Sequence, residues 1–235
     1  MNEKKRIGLL TTFYNFDPAY SLCSIVQHQL TALVRWGYKP VLFVLTNFED
    51  QKRVPEGVEV RPIVPQFTLI DYADNQPVDE SFEGYVQKSQ QAFVENFQDI
   101  DIMLTHDIIF VGWFLPYCVA VHKAAEELPN LKWFHWIHSA PNPPSKVFPY
   151  PHSLRYKLPL NSKLVYLNND HLLRASETYS IFPSEVRIIH NPVDPRLFWN
   201  LHPVVKNLIE RYDLLDADFI DVYPLSTPRM GSDGK

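Results

Sequence analysis

The sequence predicts an α/β fold, a doubly wound parallel sheet flanked by helices, and three observations carry that expectation. Apolar runs of strand length alternate with helix-length amphipathic segments along the chain, as in a parallel sheet whose crossovers are helical. The 235 residues are 46% hydrophobic, enough to fill one sizeable core. A proline-rich stretch follows one of the apolar runs, and in open α/β sheets the loops after strand carboxyl ends build the ligand crevice.

Taken in chain order, strands are expected at Ile7 to Thr11, Pro40 to Leu45, Val58 to Ile63, Ile102 to Thr105, Trp133 to Ile137, Lys163 to Leu167 and Val186 to Ile189. Helices are expected near Tyr20 to Trp36, Ser81 to Phe97, Val111 to Leu128, His171 to Tyr179 and Val204 to Tyr212. Gly37 is placed to stop the first helix, because glycine accepts the left-handed backbone of a helix terminus. Pro65 to Val78 is polar and poorly periodic and reads as a surface excursion. Ser139 to Pro159 holds six prolines at 141, 143, 144, 149, 151 and 159, each lacking a backbone donor and fixing φ near −65°; it reads as the loop after a strand.

Charge and composition exclude several function classes. Lys and Arg total 22 against 27 Asp and Glu, with no long basic run, so no nucleic-acid partner is expected. Cys23 and Cys118 lie in separate apolar segments without Cys-x-x-Cys spacing and read as buried small hydrophobes in a reducing compartment. The start, Met1 to Arg6, leads straight into a strand, which points to a cytoplasmic protein. The apolar stretch Ile108 to Val121 is shorter than the roughly 20 residues a membrane span needs. The loop Thr11 to Pro18 contains no glycine, so it cannot cradle a pyrophosphate in the manner of a dinucleotide fingerprint, and the Walker pattern is absent as well. No cofactor and no metal are expected, since the histidines lack ligand spacing.

The motif with most content is Val186 to Phe198, VRIIHNPVDPRLF, where a short strand runs into Asn191-Pro192-Val193-Asp194 and then an aromatic. After one helical stretch, a fresh apolar run (Phe219 to Val222) opens into Tyr223-Pro224-Leu225-Ser226-Thr227-Pro228-Arg229, with Lys235 six residues on. This order resembles the domain junction of glycosyltransferases with the two-Rossmann GT-B fold, especially the large retaining family-four group, whose usual form is Asn-Gly-Val-Asp before the aromatic. The resemblance implies that residues 1–215 form an N-terminal, Rossmann-like acceptor-side domain. It also implies that residues 216–235 form a linker and the first strand and loop of a donor-binding domain whose remainder is missing. Its implied partners are a nucleotide-sugar donor and a glycan or other hydroxyl acceptor.

Several residues match the family pattern position by position. Trp133-Phe134-His135-Trp136-Ile137-His138 is a strand ending in histidine, and the resemblance places His138 beside the transferred sugar as the catalytic-site imidazole. His135 falls mid-strand, where a packed histidine is the plain explanation. His106-Asp107 closes another strand and is similar to the family's His-Asp or His-Glu end, which implies substrate contact; Asp107 is also fit to cap the following helix. Family members carry a Gly-Gly pair in the first loop, absent here, so Asp17 and Tyr14 are left to offer polar contacts or simply to form a turn. Asn168-Asn169-Asp170 resembles a family turn and is expected to cap the helix after it. Asn191 faces the cleft in the family picture. Arg229 and Lys235 match the cations that stabilise the charge growing on a departing diphosphate.

The competing class is a non-catalytic α/β module that binds a glycan or protein, using Trp113, Trp133, Trp136 and the Phe148-Pro149-Tyr150 cluster as stacking surfaces. Many GT-B enzymes work at a membrane surface through a basic amphipathic patch; Arg155, Lys157 and Lys163 are the residues here that would supply one, and peripheral contact with the inner face of the membrane stays open. On the transferase reading, the 235 residues alone are expected to show little transfer.

Overall fold

A computed structural model of the chain describes residues 5–68, 70, 72, 76–139, 142–144, 147–193 and 200–221. The strands β1 (Ile7–Leu10), β2 (Val41–Leu45), β3 (Glu59–Val64), β4 (Ile102–His106), β5 (Lys132–Ile137), β6 (Ser162–Tyr166) and β7 (Val186–Ile188) form one sheet in the order β3-β2-β1-β4-β5-β6-β7. Every pairing is parallel. The helices are α1 (Ser21–Arg35), α2 (Phe82–Asn96), α3 (Leu115–Glu127), α4 (Leu172–Tyr179) and α5 (Pro203–Tyr212). This is the Rossmann-like α/β architecture that the alternation of apolar runs predicts.

Strands β1 and β2 are buried at every residue, as expected of inner parallel strands covered on both faces. On one face α1 sets Leu22, Val26 and Leu30 against Leu9, Leu42 and Val44. On the other, Phe93, Val121 and Ala124 from α2 and α3 pack with Leu10, Phe43, Met103 and Trp133. Gly37 does end α1: it adopts φ 76°, its amide donates to the Val34 carbonyl at 2.8 Å, and the Tyr38 amide donates to Leu33 at 3.0 Å. That pair of bonds is a Schellman closure. The expected helix from Val111 begins as a 3-10 turn at Gly112–Phe114, with Pro116 in the first turn of α3, where its missing donor costs nothing.

At the amino edge of the sheet, Arg61 of β3 makes a two-pronged contact with Asp99, 2.9 Å from Nη1 to Oδ1 and 2.7 Å from Nη2 to Oδ2. The paired guanidinium and the Arg6 charge hold the Asp99 carboxyl below its ordinary range. This clamp ties the edge strand to the approach of β4.

Four sequence expectations are corrected. Pro65 to Val78 is not simply a surface excursion, because Tyr72 is buried at 2% exposure with its ring edge-on to Phe82. Arg155, Lys157 and Lys163 do not form a surface patch. Arg155 is buried, its Nε donating to the Phe110 carbonyl at 2.8 Å, and Lys163 lies 4.0 Å from Glu185. Trp133 and Trp136 are core residues at 0% and 5% exposure, so neither offers an open stacking face. Of the expected strand Phe219 to Val222, Phe219, Ile220 and Asp221 are exposed and form no strand; Val222 lies outside the described residues. Helix α5 buries none of its side chains. Among the described residues, no helix is long and apolar enough to cross a membrane.

Candidate functional site

The order of the strands fixes where a site can form. From β1 the chain moves outward through β2 to β3, then returns to the other side of β1 as β4. Loops leaving β1 and β4 therefore diverge, and the gap between them at the carboxyl ends is the topological switch point where open α/β sheets bind ligands. His106 is the last residue of β4, and His138 follows the last residue of β5.

The structure brings these two histidines together. His106 Nδ1 lies 2.8 Å from His138 Nε2, and the rings stack with centroids 5.1 Å apart. On its other side, His106 Nε2 lies 2.8 Å from Gln29 Oε1 of α1. The His106 ring also lies tilted against Trp136, centroids 5.6 Å apart. His106 is buried at 3% exposure, whereas His138 is half-buried at the strand end. Burial drives the His106 pKa well below 6.5, with repulsion from His138 adding to it, and burial lowers that of His138 to about 4. Both rings are therefore neutral near pH 7, which suits them to hydrogen bonding rather than to taking a proton as a general base.

Asp107 sets the geometry of this pair. It sits at φ 56°, a left-handed conformation that Asp tolerates better than most residues. Its amide donates to the Trp136 carbonyl at 2.8 Å, and its carboxylate accepts from the His138 amide at 2.9 Å. The Asp107 side chain thus joins the ends of β4 and β5 instead of capping α3, whose start is separated from it by the 3-10 turn.

The remaining expected residues fall elsewhere or do other work. The Asp17 carboxylate accepts from the Ala19 amide at 2.8 Å and its carbonyl from Tyr20 at 3.1 Å, which makes it the turn residue leading into α1. Asn168 Oδ1 accepts from the Asp170 amide at 3.1 Å, and α4 has no side-chain cap, so this cluster forms a turn rather than the expected cap. Asn191 Oδ1 is buried with no hydrogen-bond partner. Next to it, the Pro192 carbonyl accepts from His28 Nδ1 of α1 at 3.2 Å. Asp194, Arg229 and Lys235 lie outside the described residues. The loop after β5 is held against α3, where His122 Nε2 donates to the Leu154 carbonyl at 3.1 Å.

Sequence reasoning missed Gln29 and His28. A signal for Gln29 exists: in α1 the buried positions are Leu22, Cys23, Val26, Gln29 and Leu30, so an amide occupies a register otherwise apolar. A buried amide needs a partner, and here that partner is His106. Among the described residues, no group of three or more His, Cys, Asp or Glu is arranged to hold a metal ion.

No protein-family model matches the chain, and no curated protein sequence matches it. The chain is similar in structure to a glycosyltransferase from Rickettsia africae ESF-5, with a TM-score of 0.58 and 15% identity over 90% of this chain. At that identity the likeness establishes the fold. The chain spans 50% of the length of that solved structure.

Proposed function

We propose that this chain is the acceptor-side half of a retaining glycosyltransferase of GT-B type, using a nucleotide-sugar donor and a hydroxyl acceptor. The observation that carries the reading is the pair His106 and His138, joined at 2.8 Å beside the switch point of the sheet. Support comes from the fold shared with a solved glycosyltransferase and from that match covering half of the longer chain.

In this reading His138, neutral and half-buried, contacts a sugar hydroxyl near the reacting carbon. His106 and Asp107 hold it there, and Asn191 supplies a buried acceptor without a protein partner. A new bond forms between the acceptor oxygen and the anomeric carbon as the bond from that carbon to the phosphate oxygen breaks. The leaving phosphate takes the acceptor proton on the same face, so no side-chain base is required. Arg229 and Lys235 would meet the negative charge of the released diphosphate, as fixed cations do in closed sites. Because the match covers half of a transferase, we assign the second wall of the donor site to structure beyond these 235 residues.

Calorimetric titration of the chain with a panel of nucleotide sugars and oligosaccharides tests this. Saccharide binding should weaken roughly tenfold in His138→Ala, the cost of about one good hydrogen bond, and nucleotide-sugar binding should weaken in Arg229→Ala. A wild-type chain that binds none of the panel, or full turnover by the chain alone, would overturn the proposal.

A further inference from the structure

The three-residue line Gln29, His106, His138 has a direction. The Gln29 Oε1 that meets His106 Nε2 at 2.8 Å is a carbonyl oxygen and can only accept, so His106 Nε2 carries the hydrogen. A neutral imidazole has one N–H, so His106 Nδ1 is bare and accepts. The hydrogen in the 2.8 Å contact between the rings must then belong to His138 Nε2. That leaves His138 Nδ1 bare as well, on a half-buried ring at the end of β5, with no hydrogen-bond partner among the described residues.

We propose that Gln29 is a positioning residue which, through His106, fixes His138 as its Nε2–H tautomer and so commits the Nδ1 lone pair to a hydrogen-bond donor on the substrate, a hydroxyl rather than a phosphate or carboxylate oxygen. The inference deepens the transferase reading and rests on it for the identity of the ligand, while the relay itself stands on the structure. It gives a reason for an amide on the apolar face of α1. Leucine would pack there, but it would leave the buried His106 N–H without an acceptor, and neither ring would have a preferred tautomer. Turning the Gln29 amide over would reverse every proton in the line and make His138 Nδ1 a donor, suited to an anion. The side-chain amide thus decides which kind of group the site accepts.

Long-range nitrogen–proton correlation spectra of the ring-labelled full chain at pH 7 read the tautomers directly, without a substrate. The expected spectrum shows Nε2–H and bare Nδ1 for both His106 and His138, assigned with His138→Gln. Gln29→Glu, whose carboxylate can only accept, should reproduce that spectrum. Gln29→Leu should move both rings toward mixed tautomers. A wild-type His138 protonated at Nδ1, an inverted pattern in Gln29→Glu, or unchanged tautomers in Gln29→Leu would each overturn the proposal. The function is tested separately by adding oligosaccharides. Perturbation of the His138 Nδ1 signal supports the hydroxyl assignment; an expected tautomer pattern with no perturbation by any saccharide leaves the relay in place and sinks the ligand assignment.

Discussion

At His135 a fully buried imidazole is satisfied on both sides. The Ser162 hydroxyl donates to the Leu160 carbonyl at 3.3 Å, so it accepts from His135 Nε2 at 3.1 Å, and the remaining Nδ1 accepts from the Thr105 hydroxyl at 2.8 Å. The network ties β4, β5 and β6 through side chains on the face opposite His106. His135→Leu would keep the bulk but leave the Thr105 hydroxyl, itself at 0% exposure, without a partner. We expect a loss of about 1–3 kcal/mol. His135→Leu combined with Thr105→Val should lose less than the sum of the single changes, because the second removes the orphan the first creates. Urea denaturation of the four proteins checks this, and strict additivity would count against the network. Alternation along β5 is what separated the two histidines at the level of sequence: residues 135 and 138 differ by three, so they face opposite sides of the sheet. The strand-end residues His106 and His138 were legible for that reason. Gln29 was only half legible: its place in the apolar register of α1 marks it as buried, but its partner lies 77 positions away and no local pattern names it. Asp107 and Asn168 were misread as caps because the same short polar side chains that cap helices also close turns and bridge strand ends.

Among the elements, β1 is packed closely at Gly8. A Cβ built on Gly8 would lie 2.8 Å from Phe43 Cε2 and 2.9 Å from both Met103 Sδ and Cε. Those groups are fully buried; the Met103 end can adjust, but the Phe43 ring is braced by Phe97 at 4.6 Å. Gly8→Ala should therefore destabilise by about 1–3 kcal/mol through overpacking, with a lower thermal midpoint by differential scanning calorimetry. A midpoint equal to wild type would show that β1 has slack the packing denies. The apolar run Ile7 to Leu10 announced a strand but not this close approach, which depends on neighbours from β2 and β4. The same division holds elsewhere. Most strands and helices were readable because burial leaves its mark on their own residues, as unbroken apolar runs in β1 and β2 and as an apolar face in α1. The burial of Tyr72 was not, since it rests on contacts with Phe82 and with Arg155, whose Nη1 lies 3.5 Å from the Tyr72 carbonyl, and such contacts leave no local pattern.

For the molecule as a whole, the buried histidines couple folding to pH. Burial lowers His135 to about 3, His122 to about 4 and His138 to about 4, and holds His106 well below 6.5. In the unfolded chain all four return to about 6.5. Between pH 6.5 and 4 the unfolded state therefore binds protons that the folded state refuses, and stability falls as pH falls. Each fully refused proton is worth about 1.4 kcal/mol per pH unit. His106 and His135, both enclosed, contribute close to that slope, while the partly exposed His122 and His138 contribute less because solvent screens them. A second loss begins lower. Asp79, Asp99 and Asp101 are held below 3.8 by their hydrogen bonds and ion pairs, so their contribution is present above that value and disappears as they protonate. The urea midpoint should thus be flat between about pH 7 and 8, drop between about 6.5 and 4, and drop again in stronger acid; above about pH 8.5 it should fall too, because burial raises the Cys23 thiol to about 11 while the unfolded thiol ionises. Replacing His135 by Leu should lower the whole curve yet reduce its slope in the histidine window, since one refused proton is gone. A midpoint independent of pH from 6.5 to 4 would mean that these imidazoles reach water in the folded protein. The neutral, directional His106–His138 pair would then have no basis.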